Sequence, residues 1–268
     1  KKIHGRKEIL TDLLKDKLGF DGFVIGDWNG HGEVDGCTND SCSKAINAGI
    51  DMLMTPDDWR PLIANTLKDV RLGEIPETRI NDAVRRILRV KIRSGIFERG
   101  LPSKRFRAIS RKLVGGKRHR ELARDAVRKS LVLLKNNNSL LPIQFAQKVL
   151  VGGDGANDIR KQTGGRKPTW QGDDNAYDVF PGATSIFTGL KRAIELIGGS
   201  VELSVNDTWE TKPDVAVVVF GEEPYAEGQG DLDSLLFVDS FASNIKLIRK
   251  LKEEKIPIVS VFLTGRPL

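Results

Sequence analysis

The chain is poor in aromatic residues, at 6%, and in sulfur, with two cysteines and two methionines, and it holds only three histidines. No apolar run approaches the ~18–20 residues that span a bilayer, so no stretch reads as a membrane-spanning helix. Two thiols without clustered histidines make no zinc site. There is no initiator methionine, and no basic-then-apolar leader precedes Lys1, as expected of a processed chain or a fragment. Acidic residues are missing from Arg99 to Arg120, where Lys and Arg crowd. That stretch lacks the interleaved aromatics of single-strand binders and matches no nucleic-acid motif. It reads as a solvated linker, and nucleic acid is not an expected partner.

What is present is ordinary globular material: 268 residues, 39% hydrophobic and 29% charged, with a net charge of +7. That length suits one large domain or two ordinary ones. Cys37 and Cys42 close a local loop disulfide in an oxidising compartment and remain two inert thiols in a reducing one. Asn39-Asp-Ser, Asn137-Asn-Ser and Asn206-Asp-Thr are glycosylation sequons of the kind that arise by chance.

Phe23, Val24 and Ile25 form a short apolar run between glycines, the pattern of a parallel strand buried on both faces. Asp27 and Trp28 follow it, then the turn signal Asn29-Gly30. Ligands of α/β sheets sit just beyond the carboxyl ends of strands. A carboxylate beside an indole there suits a sugar ring, although Asp before Asn-Gly also caps turns. A helical pattern over Ile9–Leu18, strands near 23–26 and 50–54, and a short helix at Ser43–Ala48 closed by Gly49 make a βαβ rhythm. Pro76 opens a helix with an apolar stripe at Ile80, Val84, Ile87 and Leu88, and Gly95 ends it. Residues 101–118, with Pro and paired Gly, read as a linker between a domain over 1–100 and one over 119–268.

In the second domain His119–Leu134 has helical spacing. Strands are then predicted at Val149–Val151, 201–205, Val215–Phe220 and Ile256–Leu263. Helices are predicted at Ser185–Ile197 and Ser243–Glu254. The alternation implies a doubly wound parallel sheet. Three of its loops invite chemistry. Gly153-Asp-Gly-Ala-Asn-Asp158 mimics the magnesium loop of haloacid-dehalogenase-like phosphatases, but the only Asp-x-Asp, Asp231-Leu-Asp233, comes too late to be their nucleophile. Trp170, among small and polar residues, reads either as an exposed sugar platform or as a partly buried indole. After Phe220 come Glu222, Glu223, Glu227 and Asp231, and glycosidic cleavage needs two carboxyl groups, one ionised and one protonated.

Eight segments share one order with a known family. They are Gly22-Phe-Val-Ile-Gly-Asp27-Trp28, Ala48-Gly-Ile-Asp51-Met, Arg79-Ile-Asn-Asp-Ala-Val-Arg-Arg-Ile-Leu, Ser130-Leu-Val-Leu-Leu-Lys-Asn, Thr163-Gly-Gly, Thr169-Trp-Gln-Gly, Gly221-Glu-Glu-Pro-Tyr-Ala-Glu227 and Gly265-Arg-Pro-Leu. On these the chain resembles glycoside hydrolase family 3, the β-glucosidase and β-glucan exohydrolase group. Trp-Asn-Gly-His-Gly and Cys-Thr-Asn-Asp-Ser-Cys look like elements of its marine bacterial exo-glucosidases. The resemblance implies the C-terminal part of a (β/α)₈ barrel followed by most of an α/β sandwich. It implies a retaining exo-acting β-glucosidase, with Asp27 as nucleophile and Glu227 as general acid/base about 5–5.5 Å apart. Trp28 and Trp170 would clasp the sugar of a β-glucan or β-glucoside, and no metal or organic cofactor takes part. A periplasmic or extracellular location goes with it.

Two departures accompany the resemblance. It begins at the family's seventh barrel strand, so the earlier strands, with side chains that grip the sugar, would be needed in cis. Arg160 and Arg166 stand where the family usually has Gly and Trp, placing Arg166 at the substrate entrance. A carbohydrate-binding fragment without turnover is the alternative, and the magnesium-dependent phosphatase a remoter one.

Overall fold

The computed structural model describes residues 2–106, 108, 114–204, 206–237 and 242–268. Positions 107 and 109–113 of the predicted linker, and the end of the strand predicted over 201–205, lie outside the described residues. The chain divides into two compact units, Lys1–Lys129 and Ser130–Leu268.

The first unit carries a helix with wide turns over Glu8–Lys17, then β1 (Ile25–Trp28), α1 (Ser43–Ala48) and β2 (Met52–Met54). β1 and β2 pair in parallel, which requires a crossover connection, here through α1. Leu10, Cys42, Ala45, Ala48 and Ile50 pack into the core of this unit. Gly49 ends α1 at a φ of +124°, and a Cβ there would sit 2.6 Å from Thr11 Oγ1, so only glycine lets the helix turn against its neighbour. α2 (Trp59–Arg71), α3 (Glu77–Arg93) and α4 (Lys117–Ser130) follow.

Three local expectations need correction. The apolar run Phe23–Ile25 is not a strand buried on both faces: β1 starts only at Ile25, which is 50% exposed. Among the described residues β1 pairs only with β2, in a two-stranded sheet. The stripe of α3 is likewise half in solvent, with Val84 and Leu88 exposed; Ala83 is the buried residue, and arginines make the attachment described below. The helix predicted over His119–Leu134 ends at Ser130, because Leu131–Leu134 is apolar at every position and offers no helical period.

The second unit is the expected doubly wound sheet. β3 (Lys148–Gly152), α5 (Ile159–Thr163), α6 (Ile186–Glu195), β4 (Ser200–Leu203), β5 (Val215–Gly221), α7 (Ala242–Glu253) and β6 (Ile258–Leu263) run in sequence. Their sheet order is β4-β3-β5-β6, every pair parallel. All seven residues of β5 are buried. Val215, Val217 and Val219 join Val149, Val151 and Ile194 on one face, while Ala216, Val218 and Phe220 meet Leu247 and Leu251 on the other. The period of two thus fills both faces, with α6 on one and α7 on the other. The strand order reverses between β3 and β5, and the loops that follow these two strands open at that switch point.

Candidate active site

In the first unit Asp27 and Trp28 close β1, both exposed, Trp28 to 63%. The backbone N–H of Asp27 donates to His4 Nε2 at 2.9 Å, and its Oδ1 accepts the Trp28 N–H at 2.8 Å. Asn29, at a φ of +52°, turns the chain, and its N–H reaches the Met54 carbonyl on β2. The carboxylate therefore sits on a turn pinned to the neighbouring strand.

That strand end is held from below by charge. Asp51, with no exposed side-chain surface, accepts the Val24 N–H through Oδ2 at 2.8 Å. Its Oδ1 meets Lys15 Nζ at 2.7 Å and also Arg79. Burial opposes the Lys15 charge more than its hydrogen bond to Asp51 supports it, so the lysine's pKa lies below its usual value. The guanidinium of Arg86 donates to the carbonyls of Phe20 and Gly22 at 2.7 and 3.0 Å, and Arg89 donates to that of Asp21 at 2.8 Å. Arg79, Arg86, Arg89 and Arg93 share one face of α3, which thus grips the backbone leading into β1. The Cys37–Cys42 disulfide is formed in the crossover loop.

In the second unit Glu227 lies in the loop after β5, and its carboxylate pairs with Arg166. Gln171 ties the two loops together: its amide donates to the Glu227 carbonyl at 2.9 Å and accepts the Ala226 N–H at 2.8 Å. The Arg166 N–H donates to the Trp170 carbonyl at 2.8 Å, and the Trp170 side chain is 61% exposed. A Cβ on Gly165 would fall 2.0 Å from the Tyr225 carbonyl, so glycine there permits the close approach of the loops. Buried Asn175 braces the 167–172 turn through the carbonyls of Lys167 and Gly172. Arg166, Trp170 and Glu227 are thereby brought together.

The neighbouring glutamates are otherwise engaged. Glu222 accepts from Thr264 Oγ1 at 2.6 Å and Arg266 Nε at 2.9 Å. Burial alone would raise its pKa, but those hydrogen bonds and the guanidinium charge outweigh it and hold the carboxyl below the usual 4.5. Glu223 pairs with Lys161. The acids of the phosphatase-like loop are also committed: Asp154 to Lys161, and Asp158 to Arg160 and the first turn of α5. Among the described residues no group of three His, Cys, Asp or Glu side chains is placed to hold a metal.

Two family models match the chain: the glycosyl hydrolase family 3 N terminal domain over residues 1–90 and the C-terminal domain over 131–268. The chain belongs to glycosyl hydrolase family 3. Among family 3 proteins it is 31% identical to the lysosomal beta glucosidase of Dictyostelium discoideum, over 99% of this chain and 34% of that protein. The crystal structure of the exo-1,3/1,4-beta-glucanase from a Pseudoalteromonas species matches with a TM-score of 0.95 and 52% identity, over 99% of this chain and 33% of that one. The beta-glucosidase of Listeria innocua matches at 25% identity and a TM-score of 0.79, over 99% of this chain and 36% of that one. The chain spans about a third of the length of these family 3 relatives.

Sequence reasoning missed His4, Lys161 and Arg266. His4 had no pattern around it. Arg266 belongs to the Gly265-Arg-Pro-Leu segment but carried no role there, and Lys161 stands two residues before Thr163-Gly-Gly, where a charge close to a glycine motif is the signal that could have found it.

Proposed function

We propose that the protein is a retaining, exo-acting β-glucosidase that removes terminal glucosyl residues from β-glucans or β-glucosides. The observation that carries this reading is chemical repetition: β1 ends on the Asp27 carboxylate beside the exposed Trp28 indole, and the loop after β5 carries Glu227, tied through Arg166 and Gln171 to the loop that holds the exposed Trp170. Asp27 is the nucleophile and Glu227 the acid/base. Asp27 attacks the anomeric carbon and forms a glycosyl ester while Glu227 gives its proton to the departing glycosidic oxygen. Water then breaks the ester, with Glu227 taking a proton back. Trp28 and Trp170 supply apolar faces for sugar rings. Arg166 binds at the acceptor side, and must swing off the Glu227 carboxyl before that group can donate.

The part over 1–100 carries the nucleophile and that over 119–268 the acid/base, joined by 101–118. Earlier barrel strands, which the resemblance implies, act in cis. A formed disulfide suits an exported protein, and one relative is named a periplasmic beta-glucosidase/beta-xylosidase, from Dickeya chrysanthemi.

The test uses the full-length protein and two substrates, laminaribiose and a dinitrophenyl β-glucoside whose leaving group needs no proton. Glu227→Ala should lose about 10²–10⁴-fold on the first and little of the first chemical step on the second, with azide restoring turnover. Asp27→Ala should abolish both. If Glu222→Ala shows the leaving-group dependence and azide rescue while Glu227→Ala does not, the assignment is wrong.

A further inference from the structure

Lys161 is buried, its side chain 3% exposed, although it lies on the five-residue helix α5 beside a loop that faces solvent. An ammonium has three N–H donors, and here three acceptors meet it. They are the Asp154 carboxylate at 2.7 Å, the Glu223 carboxylate at 2.8 Å and the Gly221 carbonyl at 3.2 Å. Burial opposes the charge, but the hydrogen bonds and charges of Asp154 and Glu223 outweigh it and raise the lysine's pKa. Asp154 belongs to the loop after β3, and its own N–H is held by Asn244 of α7 at 3.1 Å. Gly221 and Glu223 begin the loop after β5. One buried cation therefore fastens the two loops that open at the switch point of the sheet.

The same loop is fastened at its far side by Arg266. Besides Glu222, that guanidinium donates to the Gly230 carbonyl at 2.5 Å and lies over the Tyr225 ring at 4.4 Å. Glu227 stands between these two attachments. We infer that Lys161 is a positioning residue for the acid/base: by holding Gly221 and Glu223 against Asp154 it sets where the Glu227 carboxyl stands. The inference rests on the reading of Glu227 given above.

A misplaced acid should cost most where the leaving group needs a proton, and a shift of about 1 Å can cost about a hundredfold. A general loss of folding would instead lower all activities together. In the full-length protein, Lys161→Met should therefore lower kcat on laminaribiose by about ten- to a hundredfold. On the dinitrophenyl β-glucoside, the rate of glycosyl-ester formation, read as kcat/KM, should stay within about threefold of the parent. Because Lys161→Met leaves two carboxylates without their cation, a milder second variant guards against a loss of folding. Glu223→Gln removes a single charge, from a side chain that is largely exposed. It should show the same selectivity at about three- to tenfold on laminaribiose.

Equal losses on the two substrates, or no loss from Glu223→Gln, would overturn the role of Lys161. Glu227→Ala run in parallel separates the two levels. If that control shows no leaving-group dependence, the acid/base assignment fails and this inference fails with it. If the control behaves and the Lys161 and Glu223 variants do not, only the inference is wrong.

Discussion

Replacing Asp51 by alanine should be among the most damaging single changes to the first unit. The carboxylate has no exposed surface and satisfies three groups at once: the Val24 N–H, the Lys15 ammonium and the Arg79 guanidinium. Its removal leaves one backbone donor without a partner, worth about 1–3 kcal/mol. It also leaves two buried cations, the Lys15 side chain 2% exposed and that of Arg79 12%, with only the half-exposed Asp82 carboxylate as their remaining counter-charge. Breaking a buried pair from one side costs about 3–5 kcal/mol. The two costs describe the same vacated site and overlap, and Asp82 still faces both cations, so the lower end, about 3 kcal/mol, is the expected total. Asp51→Asn should do nearly as badly. Its oxygen can still accept from Val24, but its amide then turns donors toward Lys15 and Arg79.

The deficit should also depend on pH. Lys15 already has a lowered pKa because of burial, and without Asp51 it should lose its proton more readily still. A folded-state pKa below the unfolded one means that the folded state gains as the proton leaves, so the Asp51→Ala deficit should shrink as pH rises from about 7 towards 10. The assay is urea unfolding followed by Trp28 and Trp59 fluorescence, in a background where Trp170 and Trp209 are phenylalanine. A loss below about 1 kcal/mol at neutral pH, or a deficit that grows with pH, would refute the reasoning.

Protein purified without reductant should show no reactive thiol from Cys37 or Cys42. Reduction should cost the first unit about 2 kcal/mol from loop closure alone, and two thiols reacting at once would contradict the bridge. The lowered pKa of Glu222 contributes stability that is present above the ordinary 4.5 and is lost as pH falls through the lower folded value. Unfolding of the second unit between about pH 6 and pH 3 should therefore be less acid-sensitive in Glu222→Gln than in the parent, and equal slopes would count against the Arg266 clamp.

The second unit's sheet was legible because its signals are local. Val215–Phe220 is apolar at every position, and a strand that fills both faces must be covered twice, which only helices on both sides can do. Asp27 and Trp28 could be placed at a strand end for the same reason: apolar residues precede them and a turn follows. The attachments were not legible. Nothing in the pattern of α3 distinguishes arginines that grip carbonyls from arginines in water, because their partners at Ile46, Ile50, Phe20 and Gly22 lie far off in the chain. The apolar stripe on the same helix looked like the buried face and is half exposed.

The three glutamates after β5 show the division most clearly. Sequence set them on one loop beyond a buried strand. Which cation meets which carboxylate was decided only in three dimensions, where Arg266 takes Glu222, Lys161 takes Glu223 and Arg166 takes Glu227. Apolar burial is written residue by residue along a strand, whereas an ion pair exists only once the fold has carried two distant charges to the same few ångströms.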